Sequence, residues 1–366
     1  MKDVRAEALA SGMAHASSLF AKRVKTRRLS KADAQRKLAL LHPTLDDSGL
    51  DRVDLVIEAV VEKLEIKQQV FAQLASVTAE GTVLASNTSS LPIAEIRAKT
   101  PHPERVVGMH FFNPVHRMPL VEIIVPDGCD PSSANTVYAF TKALGKTPVL
   151  VKDAPGFLVN RLLMFYSCEA LHLLGEGQSI EDLDAAMTEW GMPMGPMALT
   201  DEVGIDVAIK VAHILAEVFS ERLPLPTWAD RLLADGRLGS KNGRGIYCYE
   251  KGRRTVPDRT VYSLVGLPEP SGGRANLAAL AERMVLPMVN EAARCLDEKI
   301  VADPGSLDLA MIFGTGFPPF RGGLCRWADG EGLDRIVGKL EKLAASVGPR
   351  HQPSEALRRF AAAGGF

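Results

Sequence analysis

Residues 106–125 read Val-Val-Gly-Met-His110-Phe-Phe-Asn-Pro114-Val-His-Arg-Met-Pro119-Leu-Val-Glu122-Ile-Ile-Val. Two apolar runs, 106–112 and 120–125, are too short for helices and carry the β-branched and aromatic residues of buried strands. The segment between them, bounded by Pro114 and Pro119, must be a loop. Runs of the same kind stand at 54–60, 82–86 and 147–151. Helical patterns separate several of them, over about 64–77 and 132–144. Strands that are apolar throughout and alternate with helices imply an α/β domain whose doubly wound, largely parallel sheet is buried on both faces.

Working outward, the pattern changes after Asp153. Asp153-Ala-Pro155-Gly156 is turn and helix-start chemistry, and 157–175 then reads as one long apolar helix. A Gly/Pro-rich stretch at 268–273 looks like a linker, and a second helical segment starts near Ala278. The two segments read as weak repeats. Glu169-Ala170 aligns with Glu291-Ala292, Asp184 and Met187 with Asp308 and Met311, Gly191-Met-Pro193 with Gly316-Phe-Pro318, and Gly204-Ile-Asp206 with Gly332-Leu-Asp334. The offset drifts from 122 to 128. The expected organisation is an α/β domain over 1–152 and two duplicated all-α domains over 153–272 and 273–366.

Before the first strand, the chain reads helical for about 40 residues, with Ala6, Leu9, Met13, Ala16 and Phe20 at helical spacing. A basic cluster follows: Lys22, Arg23, Lys25, Arg27, Arg28, Lys31, Arg36 and Lys37 against the single acid Asp33, a local charge of +7 in a chain whose net charge is −1. Such a cluster is either a solvated helical face or a landing site for a phosphorylated ligand.

Composition narrows the classes. Of 366 residues, 46% are hydrophobic and 24% charged, which excludes a disordered or fibrous chain. No run approaches the roughly 18 apolar residues of a membrane span. Five scattered cysteines without a CxxC pair speak against a disulfide scaffold or a structural zinc site, and cytoplasm is the expected compartment. The aromatic residues do not interleave with the basic cluster, so nucleic acid is not an expected partner. No metal ligand set stands out.

Several residues can carry chemistry. His110 ends one predicted strand and Glu122 begins the next, which can place a carboxylate beside an imidazole. Such a pair is a good general base, because the carboxylate fixes the tautomer and favours the imidazolium. On spacing alone, a pair of this kind is more often a satisfied structural contact. Ser89 follows a strand and Asn160 lies in the first turns of the long helix; each can hold a substrate oxygen, or serve as a cap or a helix contact. Glu58, Glu62 and Lys67 follow the 54–60 run, where doubly wound sheets bind ligands, although by spacing they read as helix-surface charges. Gly239-Ser-Lys-Asn-Gly243-Arg-Gly245 precedes no helix and is not expected to bind a nucleotide.

Taken in order, Ser-Asn-Thr-Ser-Ser (86–90), His-Phe-Phe-Asn-Pro-Val (110–115), Leu-Val-Glu-Ile-Ile (120–124), Pro-Gly-Phe-Leu-Val-Asn-Arg (155–161), Pro-Met-Gly-Pro-Met (193–197) and Gly-Arg-Gly-Ile-Tyr (243–247) resemble the L-3-hydroxyacyl-CoA dehydrogenases over nearly the whole chain. With the duplication and Phe317-Pro-Pro-Phe-Arg-Gly-Gly323, the chain looks like the dehydrogenase half of the multifunctional β-oxidation α subunit. The resemblance implies a Rossmann-type fold and NAD-dependent oxidation of a 3-hydroxyacyl-CoA. It implies His110 as base with Glu122, and Ser89 and Asn160 on substrate oxygens. It places Asp3, Ala59, Glu62, Lys67, Asn87 and Asn113 at the cofactor, and Lys22 and Lys25 where CoA phosphates land. It also implies an enoyl-CoA hydratase domain upstream and a thiolase subunit as partners. A dehydrogenase of free 3-hydroxy acids fits less well, since such a substrate has no phosphates for the basic cluster.

The departure lies at the N-terminus. The family opens with a strand, a G-x-G-x-x-G turn, a helix and a second strand ending in a ribose-binding acid. Asp3 aligns with that acid, so the expectation is an internal Met1; were the chain to begin there, a gap beside the 54–60 strand, poor folding of 1–151 and little NAD binding are expected. The competing expectation is a non-catalytic acyl-CoA-binding or assembly module without its cofactor loop.

Overall fold

The computed structural model describes residues 1–270 and 275–366. The proposed linker at 268–273 and the 272/273 boundary therefore fall largely outside the described residues. Helices α1 (Ala6–Lys25) and α2 (Lys31–Leu38) come first, then β1 (Leu55–Glu58), α3 (Leu64–Val77), β2 (Val83–Ser86), the short α4 (Ile93–Ile96), β3 (Val106–Phe111), β4 (Leu120–Val125), α5 (Pro131–Ala143) and β5 (Thr147–Lys152). The five strands form one sheet in sequential order. All neighbours are parallel except β3 and β4, which are antiparallel. That exception follows from the short 112–119 loop, because a parallel crossover needs a dozen or more residues.

The sheet is covered unequally. On one face α5 packs Val137 over Val83, Ala85, Val107, Met109, Val121 and Ile123. On the other, the strands join a large core shared with the helices that follow. β1 is the end of the sheet, and Ile57 on it is 39% exposed, with Val60 and Val61 exposed just beyond. The N-terminal helices correct one expectation. The basic segment 22–37 is not a single helix: α1 stops at Lys25, Arg27 takes a left-handed φ of 56°, and Ser30 caps α2 by accepting the Asp33 N–H. The arm's apolar face is shallow, with Leu9 the buried residue of α1.

The helical part begins with α6 (Val159–Gly175), α7 (Ile180–Trp190), α8 (Pro196–Val203) and α9 (Ile205–Phe219). After α10 (Asp230–Ala234), the hairpin β6 (Tyr247–Glu250) and β7 (Arg253–Pro257), and α11 (Thr260–Val265), the order recurs as α12 (Leu277–Asp297), α13 (Pro304–Thr315), α14 (Leu324–Glu331) and α15 (Leu333–Ser346), closed by α16 (Glu355–Ala363). The two runs repeat in detail. Asp184 accepts the N–H groups of Met197 and Ala198 at the start of α8, and Asp308 those of Cys325 and Arg326 at the start of α14. Each leans on a glycine that leaves no room for a Cβ, Gly195 or Gly323. The Gly239–Gly245 loop likewise wraps a buried carboxylate. Asp201 accepts the N–H groups of Ile246 and Tyr247, and a Cβ at either Gly239 or Gly245 would strike it.

Candidate active site

The antiparallel register sets His110 on β3 directly opposite Glu122 on β4. Directly opposed residues share a face with Cβ atoms about 4.5–5.5 Å apart, close enough for the side chains to meet. His110 Nδ1 lies 2.8 Å from Glu122 Oε2. The second carboxylate oxygen, Oε1, accepts the N–H groups of Leu158 at 3.2 Å and Val159 at 2.9 Å, where α6 begins. Free N–H groups and the helix dipole there favour negative charge. Glu122 is fully buried and its acceptors are occupied on both sides. With Nδ1 engaged as donor to a carboxylate, Nε2 remains the acceptor of the ring. Phe112 and Phe157 flank the imidazole, with centroids 4.5 and 5.8 Å away.

The turn before α6 makes this possible. Gly156 and Phe157 both adopt left-handed φ, 72° and 51°. A fully buried phenylalanine in that region is strained by about 1–3 kcal/mol. The double reversal aims two successive N–H groups at Glu122. Sequence reasoning missed Phe157, and the adjacent Pro155-Gly156 is the signal that points to it.

Ser89 and Asn160 join the same cluster. Asn160 follows Val159, and its Nδ2 donates to the Ser89 carbonyl at 2.9 Å. The Ser89 N–H in turn donates to Glu62 Oε1 at 3.2 Å. Glu62 also accepts from the Thr88 and Ser90 hydroxyls. Partial burial would push its carboxyl up, but the Thr88 hydroxyl and the Lys67 ammonium hold it below the ordinary range. Lys67 lies 2.8 Å from Glu58 and 3.2 Å from Glu62. The reading of Glu58 and Lys67 as helix-surface charges is overturned. Lys67 is 1% exposed, and Glu58 is buried and also accepts the Ser86 hydroxyl and the Val60 N–H. A buried charge of this kind must be paired, and here one ammonium sits between two carboxylates. Asn87 accepts the Phe111 N–H at 3.0 Å, tying the end of β2 to the end of β3. Ala59, just past β1, and Asn113, in the loop after β3, are exposed beside these strand ends.

Five predicted residues, Asp3, Lys22, Lys25, Ala59 and Asn113, make no side-chain hydrogen bond or ion pair with the cluster among the described residues. Asp3 accepts the N–H of Arg5, next to an isolated parallel bridge between Lys2 and Thr44. Lys22 and Lys25 are exposed in the last turn of α1.

Comparison with known proteins gives this arrangement a family. Residues 1–154 match the model described as 3-hydroxyacyl-CoA dehydrogenase, NAD binding domain, and residues 156–249 and 280–366 match the model of its C-terminal domain. A fatty acid oxidation complex subunit alpha of Shewanella amazonensis is 43% identical over 368 residues, which take in 100% of this chain and 52% of that protein. The chain thus spans about half the length of the curated relatives it matches. The crystal structure of 3-hydroxybutyryl-CoA dehydrogenase from Escherichia coli K12 superposes with a TM-score of 0.86 at 29% identity, over 99% of this chain and 92% of that one. (S)-3-hydroxybutyryl-CoA dehydrogenase from Ralstonia eutropha gives 0.66 at 37% identity, over 69% and 90%. With both domain models matched in order along its length, the chain belongs to the 3-hydroxyacyl-CoA dehydrogenase family.

Proposed function

We propose that the protein oxidises L-3-hydroxyacyl-CoA to 3-oxoacyl-CoA with NAD, as the dehydrogenase part of a fatty acid β-oxidation enzyme. The observation that carries this reading is the buried His110–Glu122 pair, anchored by two N–H groups of α6 and leaving Nε2 as an acceptor. His110 takes the proton of the substrate 3-hydroxyl as the C3 hydride departs, and Glu122 offsets the positive charge gained by the ring. In the reverse direction the imidazolium polarises the 3-ketone. Asn160 spends one N–H on Ser89 and keeps its Oδ1 and second N–H for substrate, and the Ser89 hydroxyl completes the polar wall.

NAD supplies the hydride acceptor. The strand ends fit its nicotinamide side: Ala59, Glu62, Lys67, Asn87 and Asn113 gather beyond the carboxyl ends of β1, β2 and β3, where such folds bind nucleotides. Asp3 would take the adenosine ribose. A pyrophosphate is ordinarily held by a Gly-rich turn leading into a helix, and no G-x-G-x-x-G stands among the 366 residues.

The rest of the reading follows the relatives. The protein acts on acyl-CoA, whose phosphates meet Lys22 and Lys25. It belongs with an enoyl-CoA hydratase domain upstream and a thiolase subunit, in the cytoplasm. No helix among the described residues is long and apolar enough to cross a membrane. The division is 1–152 for NAD and 153–272 and 273–366 for the helical domains. A second reading, an acyl-CoA-binding or assembly module without catalysis, is one that the exposed Lys22 and Lys25 would serve equally well. Acetoacetyl-CoA-dependent NADH oxidation separates the two. Turnover that falls on His110→Ala supports the enzyme, and thioester binding without turnover supports the module.

A further inference from the structure

The second helical repeat touches the catalytic strand directly. Gly314, in the last turn of α13, is buried against Leu120 on β4 and Val159 at the start of α6. A Cβ placed on Gly314 would lie 2.7 Å from Leu120 Cδ2 and 3.3 Å from Val159 Cγ2. Both neighbours belong to the frame of the dyad. Leu120 is two residues before Glu122 on the same strand and face, and the Val159 N–H holds Glu122 Oε1 at 2.9 Å. A second tie lies alongside, where the Lys152 N–H at the end of β5 donates to the Ile300 carbonyl at 2.8 Å, just before α13. β5 is in turn the parallel neighbour of β4, pairing Glu122 with Val149.

The repeat itself does not require a glycine here. The offset is 124 at Met187 and 125 at Gly191, which brings Trp190 or Glu189 opposite Gly314, so the first copy carries a large side chain at this position. The small residue belongs to the place where the second copy meets the sheet. Neither Leu120 nor Val159 has room to retreat, since both are fully buried in the shared core.

We infer that Gly314 is a positioning residue for the dehydrogenase reaction: by carrying no side chain, it lets the second repeat seat the start of α6 and β4 at the separation that Glu122 and His110 require. The inference rests on the proposed role of His110. Gly314→Val in the full-length protein is expected to lower kcat for acetoacetyl-CoA reduction by roughly ten- to a hundredfold, the scale of ångström misplacement, with KM little changed. Leu120→Ala in the same chain returns the added volume and is expected to restore most of the lost turnover. A folded Gly314→Val with wild-type kcat, or a folded double variant without recovery, overturns the proposal. Should Gly314→Val fail to fold, Gly314→Ala with and without Leu120→Val is read by the His110 ring resonances in nitrogen-edited NMR, which need no turnover. They should move in the single variant and return in the double, and resonances that stay fixed overturn the proposal. His110→Ala is run beside them. Unaffected turnover there removes the reading of the active site, whereas His110-dependent turnover indifferent to Gly314 removes the positioning role alone.

Discussion

Arg161 and Arg283 occupy matching places in the two repeats, and each reaches across to the other's helix. From α6, Arg161 binds Glu291 on α12 and Glu298 just past its end; from α12, Arg283 binds Glu169 on α6 and Glu176 just past its end. The offset is 122 for both arginines and for both pairs of glutamates. This is the reciprocal pattern of a two-fold dimer interface, here made within one chain.

Arg161 is the more buried arginine, and Glu291 is equally buried. Arg161→Ala leaves that carboxylate short of its closest partner. It is expected to destabilise the fold by about 3–5 kcal/mol, the scale for breaking a buried pair. Arg283→Ala should do less, because Glu169 keeps Arg350 and lies 3.3 Å from His351. Urea unfolding of both variants checks the order, and equal losses would refute it.

Glu169 also sets an acid limit. Burial alone would raise its carboxyl, but His351 and Arg350 hold it down at about 2, against an ordinary value of 4.5. A carboxyl lowered on folding stabilises the protein above its unfolded pKa, and that contribution is lost as pH falls through the window from 4.5 to about 2. The loss is on the order of 3 kcal/mol. Denaturant midpoints across that window should fall in the wild type and change less in Glu169→Gln.

The architecture was legible in the sequence wherever one signal dominated. The strands follow from uninterrupted apolar runs, and the structure shortens the predicted 54–60 and 106–112 to Leu55–Glu58 and Val106–Phe111. The proximity of His110 and Glu122 follows from two strands joined by a short loop. What failed was burial of charge. Glu58 and Lys67 sit at spacings that read as a solvated helix face, and nothing local announces that Ser86 from another strand completes their site. The break at Arg27 was missed because Ser30 and Asp33 form a cap that a dense run of lysine and arginine disguises. The roles of Phe157 and Gly314 depend on backbone turns and distant partners that no spacing encodes.

For the dyad, His110→Ala should reduce kcat by roughly 10²–10⁴-fold, the usual contribution of a general base. Glu122→Gln keeps the shape but removes the charge facing the ring, and should lower kcat with little effect on KM. Steady-state kinetics with acetoacetyl-CoA and NADH tests both, and near-normal turnover in His110→Ala would refute the assignment.

The basic arm gives a separate test. Lys22→Ala, Lys25→Ala and Arg28→Ala together should raise KM for a CoA thioester and leave kcat near wild type, because these groups supply affinity for phosphate and no chemistry. An unchanged KM sinks the phosphate-landing idea.

Cofactor affinity is the last test. The 366 residues expressed alone are expected to bind NAD weakly, because they hold no Gly-rich turn and β1 lies open at the sheet edge. Calorimetric titration against an extended form carrying a strand and Gly-rich turn upstream should show the difference. An intact mass from the protein's own cells well above 39.5 kDa would show that the extended form is the natural one.

The reciprocal arginines have one more consequence. A homodimer must accept every substitution twice, once in each copy, whereas a chain that contains both halves can change one and keep the other. The offset that matches Arg161 to Arg283 places Glu282 where Asn160 stands, and Glu282 is paired with Lys339 on α15 rather than with a loop of the sheet. At that position the second repeat carries an ion pair of the scaffold where the first carries an amide of the candidate active site. Within one chain, one half can carry the candidate active site while the matching position of the other serves the scaffold.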